Sequence, residues 1–328
     1  MNQEIEAVVP LLRNSHKFVL TTHVNPDGDG LGSQIALAER LTDMGKHADI
    51  LNHSPTPGMY LFLDPNHRIR QFDPNRDAPA IANADVIVVM DTNQPDRLRS
   101  MQNHILNSKA AKVCIDHHLD PDPFALHYII ADDATSTGEL TYKLLLQLDR
   151  SRITPLIAQA LYCAIMTDTG SFRYPRVDPE IHRIVAHLIE CGADPVYIYH
   201  EVYEQWTEGR IRLLGEALDH LKTEYRGKLA HITVTREALK RTGTTEVDTD
   251  NFTVYPMSVS GVVIGILFVE LTDGVKISFR SRGDIPINEL AREFGGGGHK
   301  NAAGARLYNS YLEDAEARII KAAEKYVR

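Results

Sequence analysis

The sequence predicts an α/β protein: a parallel sheet with helices on both faces, joined by a helical connector to a smaller α/β domain at the C-terminal end. Three observations predict it. Short apolar runs alternate with segments of helical periodicity between residues 17 and 191, which is how a parallel sheet covered by helices reads. Four of those elements run into a carboxylate or a histidine, the chemistry expected at the carboxyl ends of strands in an open sheet. From residue 229 onward the alternation gives way to strands in succession.

The chain opens on a helix-like segment in which Glu4 and Glu6 stand where a signal peptide would be basic, and Pro10 and Arg13 break the apolar run. Phe18-Val19-Leu20 then reads as a buried strand ending in His23, Asp27 and Asp29 within a Pro/Gly-rich turn. Read structurally, that turn uses Asn25, Pro26 and Gly28 for their geometry, and Asp29 caps a helix starting near Leu31. The helix itself spans 30–44, with Gly45 as its stop. Residues 47–51 form a weak strand, and 54–77, rich in proline and aspartate, mostly loop. Within Ala84 to Asp91, ADVIVVMD, the continuous apolar residues read as a strand buried on both faces with Asp91 at its exit. A polar helix follows over 97–107.

The next strand ends in Asp116, His117 and His118. Residues 125–131 give another strand, which Asp132-Asp133 end while capping a helix over 137–148 with leucines on one face; Ser136 is within reach of a phosphate. Thr154 as N-cap and Pro155 at the first helical position open a helix just beyond whose end lies Asp168. Residues 178–191 form a helix closed by Gly192, and 195–223 are largely helical. The strands HITVT, VIGILFVEL and KISFRSR follow without helices between them, then a helix over 286–294, the glycine run and a last helix from Tyr311. The domains expected are 1–192, a connector 193–225, and 226–328.

With 328 residues, 43% of them hydrophobic and 24% charged, the chain can bury two cores. Its formal charge of -9 argues against a protein that coats long nucleic acid, while leaving room for a short nucleotide held by metals and a few arginines. Cys114, Cys163 and Cys191 are odd in number and lack zinc-ligand spacing, so they read as reduced, in keeping with a cytoplasmic protein. The longest apolar stretch, 262–269, is too short to cross a membrane.

Aspartate and histidine together suit a hard-to-borderline divalent metal. A single carboxylate after an apolar run is usually structural; four such exits, two with histidine, point to a shared site. The run GGGGHKNAAG is no P-loop, since Lys300 precedes Asn301 rather than Ser or Thr. It reads either as a flexible link or as backbone open to an anion, with His299 and Asn301 as added donors. Arg280 and Arg282 alternate on a strand and share a face. Arg173 reads as an exposed loop residue or a phosphate contact. His182 and His187, five apart on a helix, make a poor metal pair and read as structural.

HVNPDGDG at 23–30, MDT at 90–92, IDHH at 115–118, TDTG at 167–170 and GGGGHKNAAG at 295–304 stand in the order in which the DHH phosphoesterases carry them. The chain resembles that family, with its DHH-associated C-terminal domain, and within it the NrnA-type oligoribonucleases and pAp phosphatases, pAp being 3′-phosphoadenosine 5′-phosphate. The resemblance implies two divalent cations, Mn²⁺ with Mg²⁺ as the alternative. His23, Asp27 and Asp91 hold one; Asp29, Asp91, His117 and Asp168 hold the other, Asp91 bridging. It implies that Asp116 orients a ligand histidine and that His118 donates a hydrogen bond or proton near the leaving group. The C-terminal domain grips the nucleotide through Arg280, Gly296, Gly297, Gly298, His299 and Asn301, across a cleft from the metals. The expected reaction is attack of metal-activated hydroxide on phosphorus, cutting short RNA to mononucleotides and removing the 3′-phosphate of pAp to give AMP. Cyclic or linear dinucleotide hydrolysis, RecJ-like single-strand cleavage and non-catalytic nucleotide sensing are the alternatives. No long duplex and no membrane is expected as a partner, and a homodimer is left open.

Overall fold

In the computed structural model, residues 2–149 and 153–327 are described, with side chains for all of these but Asn2 and His299. The chain divides into two units, Met1–Gln205 and Trp206–Arg328. The first builds α1 (Asn2–Asn14), β1 (Lys17–Thr21), α2 (Gly28–Asp43), β2 (His47–Asn52), β3 (Ile69–Gln71), α3 (Pro74–Ala82), β4 (Val86–Met90), α4 (Gln102–Asn107), β5 (Ala111–Asp116), β6 (His127–Ile130), α5 (Thr137–Leu148), α6 (Pro155–Asp168), α7 (Pro179–Glu190) and α8 (Pro195–Tyr203). Its strands stand in the order β3-β2-β1-β4-β5-β6, every pair parallel.

The two central strands show why this sheet needs covering on both faces. Along β1, Phe18 and Leu20 enter one core and Val19 the other; along β4, Val86, Val88 and Met90 enter the first and Ile87 and Val89 the second. Alternate residues of a strand point to opposite faces, so an unbroken apolar run has to be buried twice. Helices α1, α2, α5, α6 and α7 contribute to the larger core, while α3, α4 and the turn before it cover the smaller. Every strand of a parallel sheet ends at the same edge, and that edge receives the residues after β1, β4 and β5.

Several local expectations are corrected. Asp27, not Asp29, caps α2, its carboxylate accepting from the backbone of Asp29 and Gly30; Asp29 lies inside the helix, which starts three residues earlier than the apolar pattern indicated. The stretch 54–77 holds the edge strand β3, too short and half-exposed to leave an apolar run, and the start of α3, obscured by Pro74 and Pro79. The helix expected over 97–107 is a 3₁₀ segment, Pro95–Met101, broken at Arg99 (φ 50°) before α4. Ser136 rather than Asp132 or Asp133 caps α5, and Asp168 is the last residue of α6 rather than lying past it.

The second unit contains α9 (Glu208–Asp219), β7 (Lys222–Glu224), β8 (Leu229–Val234), α10 (Arg236–Thr242), α11 (Val254–Met257), β9 (Ile264–Leu271), β10 (Gly274–Ser281), α12 (Ile287–Glu293), β11 (Gly297–His299), β12 (Ala302–Tyr308) and α13 (Leu312–Val327). The sheet order is β11-β12-β10-β9-β8-β7, with β8 and β9 parallel and the other pairs antiparallel. Two helices therefore interrupt the strand succession, contrary to expectation. A parallel β8–β9 pair needs a crossover, and α10, capped by Thr235 and stopped by Gly243 at φ 66°, provides part of it. Of the segment expected to connect the domains, α8 packs into the first unit through Ile198 and Val202, and α9 into the second through Leu213, Leu214 and Ala217.

Candidate active site

The turn after β1 fixes His23 first. Its Nδ1 lies 2.8 Å from the Val24 carbonyl, which can only accept, so Nδ1 carries the proton and Nε2 faces inward, 3.2 Å from Asp91 Oδ2 and 3.9 Å from Asp27 Oδ2. Asp27 Oδ1 accepts from the backbone N–H of Asp29 and Gly30 at 3.1 and 3.2 Å, leaving Oδ2 for His23 and a cation. The close approach of α2 to β4 depends on Gly30, where a Cβ would lie 2.4 Å from Thr22 Oγ1 and 3.3 Å from Asp91 Oδ2.

Asp91 leaves β4 in the left-handed region (φ 59°), a conformation that aspartate tolerates better than most residues and that aims its carboxylate across the sheet edge. Its two oxygens have different neighbours. Oδ2 faces His23, while Oδ1 accepts from Thr137 Oγ1 at 3.2 Å and lies 3.7 Å from His117 Nε2. His117 Nε2 is also 3.3 Å from Asp168 Oδ2 and 3.7 Å from Asp29 Oδ2. Three overlapping donor groups result among the described residues; of these, His23–Asp27–Asp91 and Asp29–His117–Asp168 share no residue and Asp91 touches both, while Asp91–Asp116–His117–His118 overlaps each of them. Asp29 is held by the start of α5, whose Thr137 and Gly138 N–H groups donate to its two oxygens at 2.7 and 2.8 Å.

The electrostatics of these residues call for positive charge. Burial, and then the charges of Asp91, Asp168 and Asp27, push the Asp29 carboxyl well above its usual range. Burial and the charges of Asp91 and Asp27 do the same to Asp168. Burial works against a charged His23, yet the hydrogen bonds and charges of Asp27 and Asp91 raise it to about 10. Burial holds His117 neutral, with its Nδ1 buried and unpartnered. Oxygen and nitrogen donors bound at ~2.1 Å to one cation sit roughly 3 to 3.5 Å apart. The separations here are 3.2 to 3.9 Å, so the donor set fits two divalent ions sharing Asp91, with slight contraction on binding.

Asp116 acts on a different residue from the one expected. Its fully buried Oδ1 accepts from His118 Nδ1 at 2.6 Å and from the His117 backbone N–H at 2.8 Å. It therefore orients His118 rather than the ring of the ligand His117. Burial lowers the basicity of His118, but the Asp116 bond and charge, together with the charge of Asp91, outweigh it and keep the ring protonated above its ordinary range. Asn93 fixes the same turn, its amide donating to the His118 carbonyl at 2.8 Å.

In the second unit the glycine run is an edge strand, not a flexible link. Gly297, Gly298 and His299 pair with Gly304, Ala303 and Ala302. A Cβ at Gly296 would lie 2.1 Å from the Gly304 carbonyl oxygen, and one at Gly298 (φ 139°) 2.5 Å from that of Ala302; at Gly297 it would meet open space. The Asn301 amide donates to Ser281 Oγ and to the Gly283 and Ile285 carbonyls, so it holds the loop after β10, and only its oxygen is left for a ligand. Arg280 donates to the Phe279 carbonyl at 3.0 Å. The side chain of His299 lies outside the described set. In the first unit, Ser136 Oγ accepts from Glu139 N at 3.0 Å as the α5 cap, and Arg173 Nε donates to the Gly170 carbonyl at 2.6 Å.

Sequence reasoning missed Thr137 and Gly138. The pattern Ser136-Thr137-Gly138-Glu139 is a helix-start signature with exposed N–H groups, and that was the available signal.

Comparison with known proteins gives the family. A family model described as DHH family, N-terminal domain, matches residues 17–165, and one described as DHHA1 domain matches 230–328. The bifunctional oligoribonuclease and PAP phosphatase NrnA of Thermus thermophilus is 29% identical, aligned over 93% of this chain and 89% of its own; that of Bacillus subtilis is 28% identical over 89% and 90%. A crystal structure of an exopolyphosphatase-related protein from Bacteroides fragilis superposes with a TM-score of 0.95 at 32% identity, covering 99% of this chain and 97% of that one. With Asp116-His117-His118 at the sheet edge, a DHH match over the first unit and a DHHA1 match over the second, the chain belongs to the DHH family.

Proposed function

We propose that this protein is a metal-dependent phosphoesterase that hydrolyses short RNA to mononucleotides and removes the 3′-phosphate of pAp. One observation carries the reading: Asp91 turns one oxygen to His23 and the other to His117, linking two donor groups at a parallel-sheet edge. The names of the relatives from Thermus thermophilus and Bacillus subtilis support the substrate class.

Two divalent cations, Mn²⁺ in our reading, would polarise phosphoryl oxygens and supply a nucleophile from water at neutral pH. His23, Asp27 and Asp91 would hold one, and Asp29, Asp91, His117 and Asp168 the other. Thr137 and Gly138 keep Asp29 in place through its outer lone pairs. His118, charged and steered by Asp116, would pass its Nε2 proton to the departing oxygen, which would otherwise leave as an alkoxide. Arg280, His299 and the backbone around Gly297 would bind a second phosphate or the base. The three free cysteines support the cytoplasm as its place, and among the described residues no helix is long and apolar enough to cross a membrane.

The test is a substrate panel with Mn²⁺: pAp, RNA of two to twenty-four nucleotides, cyclic dinucleotides and pyrophosphate. pAp and the shortest RNAs should react fastest. Preference for a cyclic dinucleotide or pyrophosphate would overturn the substrate assignment, and full activity in excess chelator would overturn the metal chemistry.

A further inference from the structure

Two arginines of the first unit stand beside the carboxylate cluster without joining it. Arg68, Arg70 and Arg76 each hold a carboxylate oxygen at 2.7 to 2.8 Å. Arg97 and Arg176 have no carboxylate partner within salt-bridge distance among the described residues. Each is nevertheless anchored to the site. The Arg97 carbonyl accepts from the N–H of Val24, the residue after His23, at 2.8 Å. Arg176 Nη1 donates at 3.2 Å to the carbonyl of Ala134, three residues before Thr137, and its loop returns directly from Asp168.

The charge balance gives these cations a task. Asp27, Asp29, Asp91, Asp116 and Asp168 together cancel the four positive charges of two divalent ions and that of His118, so the loaded site is left without net positive charge to draw in a phosphate anion. An arginine free of the carboxylates keeps its planar set of donors for phosphoryl oxygens, where charge grows in the transition state. Arg176 is exposed, and Arg97 is half-exposed, so a substrate can reach both.

We infer that Arg97 and Arg176 contact the non-bridging oxygens of the phosphoryl group under attack, Arg97 from the side of the His23 turn and Arg176 from the side of the α5 N-terminus. The inference rests on the phosphoesterase reading. It differs from the role given to Arg280 and His299, because a group gripping the reacting phosphate serves every substrate alike.

The test uses Arg97→Ala, Arg97→Lys, Arg176→Ala and Arg176→Lys in the full chain loaded with Mn²⁺. Metal content, affinity for inorganic phosphate by calorimetry, and kcat/KM on pAp and on bis(p-nitrophenyl) phosphate are measured together. The alanine variants should keep their metals, bind phosphate about tenfold more weakly, and lose about ten- to a hundredfold in kcat/KM on both substrates. The lysine variants should recover part of each loss. Phosphate affinity and rates equal to the wild type would overturn the inference, as would a loss confined to pAp. If an alanine variant fails to fold, the lysine variant decides: weaker phosphate binding with both metals retained supports the contact, and wild-type affinity, or a loss that tracks lost metal, refutes it. A wild-type protein inactive on every ester would refute the phosphoesterase reading instead, and phosphate binding would still judge the arginines.

Discussion

Replacing Asp116 by Asn tests how the site sets the protonation of His118. The Asp116 carboxylate is fully buried, and its bond to His118 Nδ1, 2.6 Å long, is charge-assisted. Such bonds are worth roughly 1.5 to 3 kcal/mol, so losing the charge weakens the protonated ring by about that much and lowers the His118 pKa. Burial is the largest influence and lowers the His118 pKa, which is raised on balance because the Asp116 bond and charge act together with the charge of Asp91; removing the Asp116 charge shifts that balance toward burial. If His118 acts as the acid, activity falls as pH rises through its pKa, and that limb should move to lower pH in the variant. The assay is kcat/KM on pAp from pH 5.5 to 9.5, with metal content checked at each end. An unmoved limb in a variant that keeps both metals would refute the proton-donor role.

The remaining predictions concern packing, charge and substrate grip. Gly138→Ala should destabilise the fold by about 1 to 3 kcal/mol in urea unfolding, because its Cβ would lie 2.6 Å from Ala164 Cβ and 3.3 Å from Asp29 Oδ1; unchanged stability would mean that α5 shifts freely against α6. In the metal-free protein the raised Asp29, Asp168 and His23 all hold protons in the folded state that the unfolded chain releases, so stability should fall as pH rises from 6 to 9. A metal-free Tm that climbed with pH over this range would contradict that sign, and Mn²⁺ should flatten the trend. Arg280→Ala and His299→Ala should keep metal content yet lower kcat/KM on pAp by about one to two orders of magnitude. Slowing of bis(p-nitrophenyl) phosphate to the same extent would assign both residues a structural role.

The first unit was legible because its physics is carried by long local patterns. The double-sided burial of β4 appears in the sequence as an unbroken apolar run, and α6 as a capped, periodic helix ending at Asp168. The parallel sheet then brings His23, Asp91 and His117 to one edge. Elements with weak local signals were lost: β3 has three half-exposed residues, and α3 is disguised by two prolines. Contacts that depend on tertiary position were also illegible. Nothing in IDHH says whether Asp116 reaches the ring two residues on or the one beside it, and the backbone turn decides for His118. The grip of Thr137 and Gly138 on Asp29 joins residues more than a hundred positions apart through main-chain N–H groups. The flexible-link reading of the glycine run failed for a related reason: at Gly296 and Gly298 glycine is required by the neighbouring strand.

The central claim is that one carboxylate joins two metal sites, and a Mn²⁺ titration of the metal-free chain followed by electron paramagnetic resonance tests it most directly. The account predicts two Mn²⁺ per chain, with spectra showing magnetic coupling between them. Asp91→Ala should abolish the coupling and weaken both sites, because it removes Oδ1 from the His117 side and Oδ2 from the His23 side together. Asp29→Ala should weaken chiefly the site shared with His117 and Asp168. A single uncoupled Mn²⁺ in the wild type, or the same stoichiometry and affinity in the Asp91 and Asp29 variants, would contradict it.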